Sequence, residues 1–316
     1  MENNTFKIVT LGCKVNLYES QGIEEYLLKN GFKESKDPEY IIVNTCAVTK
    51  TAEKKCLTKV RSLSEHFNAT KICVVGCSSS IRPEEFLNIP GVNVVSGNNG
   101  KLFAVKELLN GKTGLILSKK NTRNEKFEED IKISNFGKEC RAFVKIQDGC
   151  DNFCSYCIIP YVRGRVRSKE FNKCIIEVQD LALSGHKEIV LTGIHTGHYM
   201  SNNHDLTDLI NELSKIDDLL RIRISSIEIT ELNDKFLEML KINKKVCNHL
   251  HIPLQAGSDE ILKRMNRKYD LAYYEEKINK IRSIRPDISI TTDIIVGFPY
   301  ETDELFSETL EFSKKM

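Results

Sequence analysis

The stretch Phe143-Val144-Lys145-Ile146-Gln147-Asp148-Gly149-Cys150-Asp151-Asn152-Phe153-Cys154-Ser155-Tyr156-Cys157 decides how this chain is read. Residues 143–147 have the short apolar character of a strand, and three thiols follow at once in C-x3-C-x2-C spacing. Thiolates this close together suit a cubane iron–sulfur cluster. A 4Fe–4S cluster has four irons and usually four protein ligands, so a local triad with no obvious fourth partner leaves one iron open. A zinc site favours ligands in pairs. No second pair is at hand: the next histidine is His186, and Cys140 and Cys174 are not spaced as one. The ferredoxin run, with its fourth Cys and Pro, is absent too. Three structural thiols gathered by chance is the plain alternative, and the spacing disfavours it.

Outward from this stretch, strands alternate with helices. Further strand candidates are residues 188–192, 221–225, 248–253 and 289–296, with helix candidates at 171–184, 206–215, 233–240 and 272–284 between them. Five βα repeats at this spacing point to a (βα) barrel or partial barrel. Upstream, residues 6–11, 40–44, 71–75 and 92–95 read as strands. Residues 17–29, 51–67, 83–87 and 101–109 read as helices, which implies an open parallel sheet with helices on both faces. Residues 112–140 break the rhythm with the polar run 119–126, and are read as a linker with a stray strand at 114–117. The expected class is therefore α/β: residues 1–111, a linker at 112–140, and a barrel-like region at 141–316.

Composition bounds the function. At 316 residues the chain has room for about two cores. With 41% hydrophobic and 28% charged residues it is ordinary for a globular protein. A formal net charge of +2 means that any nucleic-acid contact must come from a local patch. No secretory leader is read at the N-terminus, and no apolar run nears the ~18 residues of a membrane span. Eleven cysteines is many for such a chain, and in a reducing compartment they read as metal ligands or reactive thiols rather than disulfides.

Three of them fall in matching places. Cys13, Cys46 and Cys77 each lie just past one of the first three expected strands. In an open parallel sheet those positions share the carboxyl edge, where ligands bind. The triad at Cys150, Cys154 and Cys157 likewise follows the first barrel strand, so both halves present three thiols from the same kind of edge. A single such cysteine is better read as a small apolar residue; the repetition is what changes the reading. Cys56, Cys73, Cys140, Cys174 and Cys247 show no such pattern and are read as core or surface filler.

These residues resemble a known family. The segments Leu11-Gly12-Cys13-Lys14-Val15-Asn16, Asn44-Thr45-Cys46-Ala47-Val48-Thr49 and Val75-Gly76-Cys77 resemble the N-terminal domain of the radical S-adenosylmethionine (SAM) methylthiotransferases. The run from Lys145 through Cys157-Ile158-Ile159-Pro160 resembles the same family's radical SAM motif. So do His251-Ile252-Pro253-Leu254-Gln255, Met265-Asn266-Arg267 and Thr292-Asp293-Ile294-Ile295-Val296-Gly297-Phe298-Pro299. The form Gly12-Cys13-Lys14-Val15-Asn16 is similar to the branch acting on N6-threonylcarbamoyladenosine in tRNA. The isopentenyladenosine branch typically has Gln-Met-Asn after the cysteine, and the ribosomal-protein branch Pro-Lys-Asn.

The resemblance implies two 4Fe–4S clusters. Cys150, Cys154 and Cys157 would hold the one that binds and cleaves SAM to a 5′-deoxyadenosyl radical. Cys13, Cys46 and Cys77 would hold a second that carries the sulfur. The product would be the 2-methylthio derivative of the modified adenosine at tRNA position 37. It also implies tRNA as partner, an electron donor such as flavodoxin or ferredoxin, and a cytoplasmic setting without membrane attachment. Family members carry a sixth barrel strand and a small RNA-binding β-barrel called TRAM, and the sequence to Met316 is expected to lack both. An inactive cluster-binding remnant is therefore the competing expectation, beside the isopentenyladenosine and ribosomal-protein branches.

Finer candidates follow. The segment Tyr161-Val162-Arg163-Gly164-Arg165-Val166-Arg167-Ser168-Lys169 carries four cations and no acid. If it is extended, Arg163, Arg165 and Arg167 share one face, and guanidinium forks suit RNA phosphates; a solvated loop or a clamp on the SAM carboxylate is the alternative. In radical SAM enzymes the backbone around the equivalent of Tyr156 neighbours the adenine. Thr192, Ser225, Glu228, Gln255 and Asp293 are SAM-pocket candidates by position at strand ends. His249 and His251 alternate with apolar residues, and one of them is expected to face the barrel interior.

Overall fold

The computed structural model describes residues 4–67, 70–116, 127, 131–137 and 139–316. The chain forms two compact units: Met1–Ser134 with Ile158–Arg165, and Asn135–Cys157 with Val166–Met316.

The first unit is built on one parallel sheet of β1 (Thr5–Thr10), β2 (Lys33–Glu34), β3 (Tyr40–Thr45), β4 (Lys71–Gly76), β5 (Val92–Ser96) and β6 (Gly114–Ile116). Their order is β2-β1-β3-β4-β5-β6. The sequence of β3, Tyr-Ile-Ile-Val-Asn-Thr, is buried at all six positions. That is the run expected of a central parallel strand covered on both faces. Helices α1 (Lys14–Lys29), α2 (Lys50–His66), α3 (Cys77–Ile81), α4 (Pro83–Leu87) and α5 (Lys101–Leu109) make the connections. The Thr49 hydroxyl accepts from the Ala52 N–H at 3.0 Å and so caps α2. Val43, Cys56, Val60, Val74, Phe86 and Val95 are part of the apolar core beneath it.

The stray strand expected at 114–117 is real and extends this sheet as β6; the polar run 119–126 lies outside the described residues. Part of the expected linker docks on α1: the Tyr18 hydroxyl donates to the Ile131 carbonyl at 3.0 Å, and Ser134 N–H and Oγ donate to Glu25 at 2.7 and 2.8 Å. The short helix α6 (Ile159–Arg163) belongs to this unit as well.

In the second unit β7 (Arg141–Lys145) is followed by β8 (Gln147–Asp148), β9 (Arg167–Ser168), α7 (Phe171–Leu183), β10 (Glu188–Thr192), β11 (Met200–Ser201) and β12 (His204–Asp205). Then come α8 (Leu206–Leu213), β13 (Arg221–Ile224), α9 (Asp234–Ile242), β14 (His249–His251), α10 (Asp259–Arg264), α11 (Leu271–Ile284), β15 (Ser289–Thr291) and α12 (Asp303–Lys315). Strands β13, β10 and β7 form a parallel sheet with β10 in the centre, buried throughout. A parallel bridge between Ile222 and Val246 leads on to the parallel pair β14 and β15. Five parallel strands in chain order, alternating with helices, make a partial (βα) barrel, so the α/β expectation is borne out. Short helices are held by explicit caps: Asp205 and Asp208 form a capping box on α8, and Asn233 and Asp270 accept from the first turns of α9 and α11.

One strand reading needs correction. His249 and His251 are two residues apart and so share a face. Both reach the Thr291 hydroxyl, at 3.0 and 2.9 Å, while Leu250 between them is fully buried.

Candidate functional site

The cysteine loop leaves β7 through Gln147, whose buried side chain ties it in place. Gln147 Nε2 donates to the carbonyls of Asp148 and Gly149 at 2.8 and 2.6 Å, and Oε1 accepts the N–H groups of Ile194 and His195 at 2.9 and 2.7 Å. Past this anchor Phe153 takes a left-handed φ of 48°, which bends the loop between the first two thiols. The turn after α10 grips it from the other side. Ser155 N–H donates to Met265 O at 3.1 Å and its hydroxyl to Arg264 O at 2.9 Å. Asn266, itself at φ 59°, donates to the carbonyls of Asn152 and Phe153 at 3.3 and 3.0 Å. Cys150, Cys154 and Cys157 are all half-buried.

Two cationic side chains meet these sulfurs. His195, just past β10, places Nδ1 3.5 Å from Cys150 Sγ and Nε2 against Glu231. Arg267 donates from Nη1 to Cys154 Sγ at 3.3 Å, and its Nη2 sits on Glu228. Burial works against a charge on His195, but the bonds to Cys150 and Glu231 push its pKa up to about 10. The neighbouring His198, stacked on it at 3.8 Å, is moved down, first by burial and then by the charge on His195. His195, His198 and Glu231 each offer a ligand atom within 4.8 Å of the others; in the arrangement present, imidazole and carboxylate touch directly. Three half-buried sulfurs on one short loop, two of them met by nitrogen donors, are the donor set that iron–sulfur chemistry uses, so the triad fits a cluster. None of His195, His198 and Glu231 was singled out from sequence, and Arg267 entered only within the resembling run Met265-Asn266-Arg267, without a role. The available signal was Gly193-Ile194-His195-Thr196-Gly197-His198 at the carboxyl end of a barrel strand.

In the first unit Cys13, Cys46 and Cys77 follow β1, β3 and β4, which are neighbours in the sheet. Adjacent strands lie about 4.8 Å apart, so the three ends fall within about 10 Å. Two glycines permit the approach. Gly12, at φ 115°, packs where a Cβ would lie 2.7 Å from Cys46 Cβ, and Gly76, at φ 113°, where a Cβ would lie 2.5 Å from Thr45 O. Cys13 is exposed, while Cys46 and Cys77 are buried. Burial pushes the Cys46 thiol up; the backbone at Val48 opposes this, Cys77 and Cys13 add to it, and Arg163 pulls against it. Cys56 is part of the core, as expected, and its Sγ also bonds both backbone groups of Cys46 at 3.4 Å. Cys73 and Cys174 are enclosed, and burial pushes Cys174 up to about 12, so neither thiol is primed for ligation.

The basic segment is not an extended face. Arg163 ends helix α6, fully buried, with its guanidinium on Asn16 Oδ1 at 2.8 Å and Glu19 Oε1 at 3.2 Å. Arg167 lies in β9, buried, 3.3 Å from Asp148, which Lys145 also meets at 2.7 Å. Lys169 is buried on Glu177. Neither Arg163 nor Arg167 presents its charge to solvent, so the expectation that they contact RNA is withdrawn. Arg165 is exposed.

The remaining candidates are scattered over the strand ends of the second unit. Thr192 closes β10, buried, and Ser225 follows β13, half-buried. Glu228 is taken up by Arg267. Gln255 stands at φ 70° and bridges Ile294; Asp293, largely exposed, meets His251 Nε2 at 3.2 Å. Tyr156 is exposed, its ring edge-on to Phe298 at 6.4 Å.

Residues 144–313 match the radical SAM superfamily, and residues 5–97 match Uncharacterized protein family UPF0004. The chain is 41% identical over 318 residues to the threonylcarbamoyladenosine tRNA methylthiotransferase MtaB of Thermotoga maritima, covering 99% of this chain and 72% of that one. It is 38% identical to MtaB of Bacillus subtilis, covering 97% and 70%. The chain belongs to the radical SAM methylthiotransferase family. A tRNA-2-methylthio-N(6)-dimethylallyladenosine synthase of Thermodesulfovibrio yellowstonii is 35% identical, covering all of this chain and 74% of that one. Among solved structures, the radical SAM methyltransferase TsrM of Kitasatospora setae superposes with a TM-score of 0.69 over 99% of this chain and 71% of its own, at 14% identity; this is a likeness of fold. As a family member the chain is a transferase that uses SAM and a 4Fe–4S cluster, with the second cluster that methylthiotransferases carry. No helix among the described residues is long and apolar enough to cross a membrane.

Proposed function

We propose that this methylthiotransferase converts N6-threonylcarbamoyladenosine at tRNA position 37 to its 2-methylthio derivative. The observation that carries the reading is the double set of thiols. Cys150, Cys154 and Cys157 lie on a loop at the carboxyl end of one parallel strand, and Cys13, Cys46 and Cys77 lie at the carboxyl ends of three adjacent ones. The first set would hold the cluster that binds SAM and the second set the cluster that carries sulfur, with the second and first compact units as the corresponding domains. When bound, these groups supply a 5′-deoxyadenosyl radical able to take hydrogen from an aryl carbon, and the sulfur to be placed there.

The chain's own residues supply position and shielding. Gln147 and Asn266 fix the cysteine loop from both sides. Tyr156 would sit beside the SAM adenine, and Thr192, Ser225, Gln255 and Asp293 line the strand ends where SAM would lie. Glu228, already on Arg267, would act there through that arginine. In the first unit Asn16 Nδ2 donates to Leu11 O and Thr45 O at 2.7 and 3.0 Å, joining the turns that carry Cys13 and Cys46. That role accounts for the Asn in Gly12-Cys13-Lys14-Val15-Asn16, the form that favours the threonylcarbamoyladenosine branch. Arg165 is the RNA contact this segment offers. Flavodoxin or ferredoxin would supply electrons, in the cytoplasm where tRNA is modified.

Mass spectrometry of nucleosides from tRNA incubated anaerobically with reconstituted protein, SAM and a reductant tests the reading. The expected product is 2-methylthio-N6-threonylcarbamoyladenosine. A methylthio group on isopentenyladenosine would move the chain to the other tRNA branch, and no methylthio nucleoside at all would overturn the assignment.

A further inference from the structure

Two of the three loop thiols are met by side chains of the same build: a buried nitrogen-bearing group with one nitrogen on sulfur and another on a carboxylate. His195 joins Cys150 to Glu231, and Arg267 joins Cys154 to Glu228. The side chains of His195 and Arg267 are each only 4% exposed. Donor roles follow from the partners. A carboxylate oxygen only accepts, so His195 Nε2 carries hydrogen; a thiolate bound to iron only accepts as well, so Nδ1 faces it as a donor. Arg267 has only donors to offer.

Both groups are fixed from behind as well. The backbone N–H of His195 is fixed on Gln147, the residue that also sets the start of the cysteine loop. Arg267 lies over the ring of Tyr269 at 5.1 Å, and the Tyr269 hydroxyl is bound to the carbonyls of Pro253 and Leu254. Hydrogen bonds to cluster sulfurs draw electron density from the iron, and partners behind a ligand set its orientation. An added electron makes a cluster more negative, so donors favour the reduced form.

We propose that His195 and Arg267 are positioning residues for the iron–sulfur cluster of this loop. They donate to the sulfurs of Cys150 and Cys154, are aimed by Glu231 and Glu228, and raise the cluster's reduction potential toward the reach of a biological donor. The inference rests on the reading that Cys150, Cys154 and Cys157 hold that cluster.

The test uses the full chain with Cys13, Cys46 and Cys77 changed to Ala, so that one cluster is read, reconstituted anaerobically and titrated with electron paramagnetic resonance detection. His195→Leu and Arg267→Met are each expected to lower the reduced-to-oxidised ratio at a fixed potential about tenfold, which is about 59 mV for a one-electron couple. His195→Gln keeps an N–H donor and is expected to restore most of the loss. Potentials equal to the parent's in both removal variants overturn the proposal. Where a removal variant takes up no iron, Glu231→Gln or Glu228→Gln is titrated in its place, since the donor stays but loses the charge that aims it. A downward shift there supports the proposal, and an unchanged potential overturns it. A parent that takes up no iron refutes the cluster reading itself, and the inference with it.

Discussion

Replacing Arg163 by Met separates an internal ion pair from a nucleic-acid contact. Arg163 is fully buried, with Asn16 Oδ1 at 2.8 Å and Glu19 Oε1 at 3.2 Å as partners. Glu19 has a second cation, Lys101, which also donates to Asn44 Oδ1 at 3.0 Å. Removing one partner of a buried pair costs about 3–5 kcal/mol because the remaining charge is stranded. Glu19 keeps Lys101, which argues for the lower end, while Asn16 Oδ1 loses its donor, worth about 1–3 kcal/mol if left unsatisfied. A net loss of about 4 kcal/mol is the expected sum at the lower ends of both ranges, and at roughly 2–4 °C per kcal/mol it lowers the melting temperature by about 8–16 °C. Arg165→Ala, an exposed site two residues on, is expected to stay within about 0.5 kcal/mol. Calorimetry of the full chain reads both. An unchanged melting temperature in Arg163→Met would refute the argument that this arginine works inside the fold.

Three further outcomes are expected. Burial raises the Glu188 pKa, but bonds from Arg221 and Arg223 outweigh it and leave the carboxyl below its ordinary value. Such a group stabilises above its unfolded pKa and the stabilisation is lost as pH falls through the folded one, so Glu188→Gln should flatten the acid limb of a melting-temperature–pH curve below about pH 4.3. Asn266→Ala removes both bonds to the cysteine loop and strains a left-handed position that Asn tolerates better than Ala; faster iron loss to a chelator is the readout, and an unchanged rate would deny it a clamping role. Cys46→Ser should reduce reconstituted iron from about eight to about four per chain, as one of two cubanes is lost, with retention of eight as the contrary result.

The strands were legible because parallel strands covered on both faces leave continuous apolar runs, as in Ile41-Ile42-Val43 and Ile189-Val190-Leu191, all buried. The thiols were legible because their positions after strands repeat. His195 and Arg267 were not, since their significance comes from reaching sulfurs 45 and 113 residues away. No window of sequence contains both ends of such a contact. The motif Met265-Asn266-Arg267 was visible as a resemblance, but its work, two bonds from Asn266 and one from Arg267 to the cysteine loop, is a property of the fold.

The basic segment shows how the same limit misleads. Read locally, Arg163, Arg165, Arg167 and Lys169 are four cations without an acid. Their acids lie elsewhere: Glu19 is 144 residues upstream of Arg163, Asp148 stands across a two-strand pairing from Arg167, and Glu177 lies in α7, 8 residues on from Lys169. An arginine whose charge is spent on a buried carboxylate releases no counterion on meeting RNA. With Arg165 the one of the four that is exposed, the segment offers about one phosphate contact, a slope of roughly 0.7–0.9 in log affinity against log salt where four open cations would give about four times that. Salt titration of tRNA binding by Arg165→Ala against the parent measures that slope directly, and a change well above one contact would mean that the buried pairs open on the RNA.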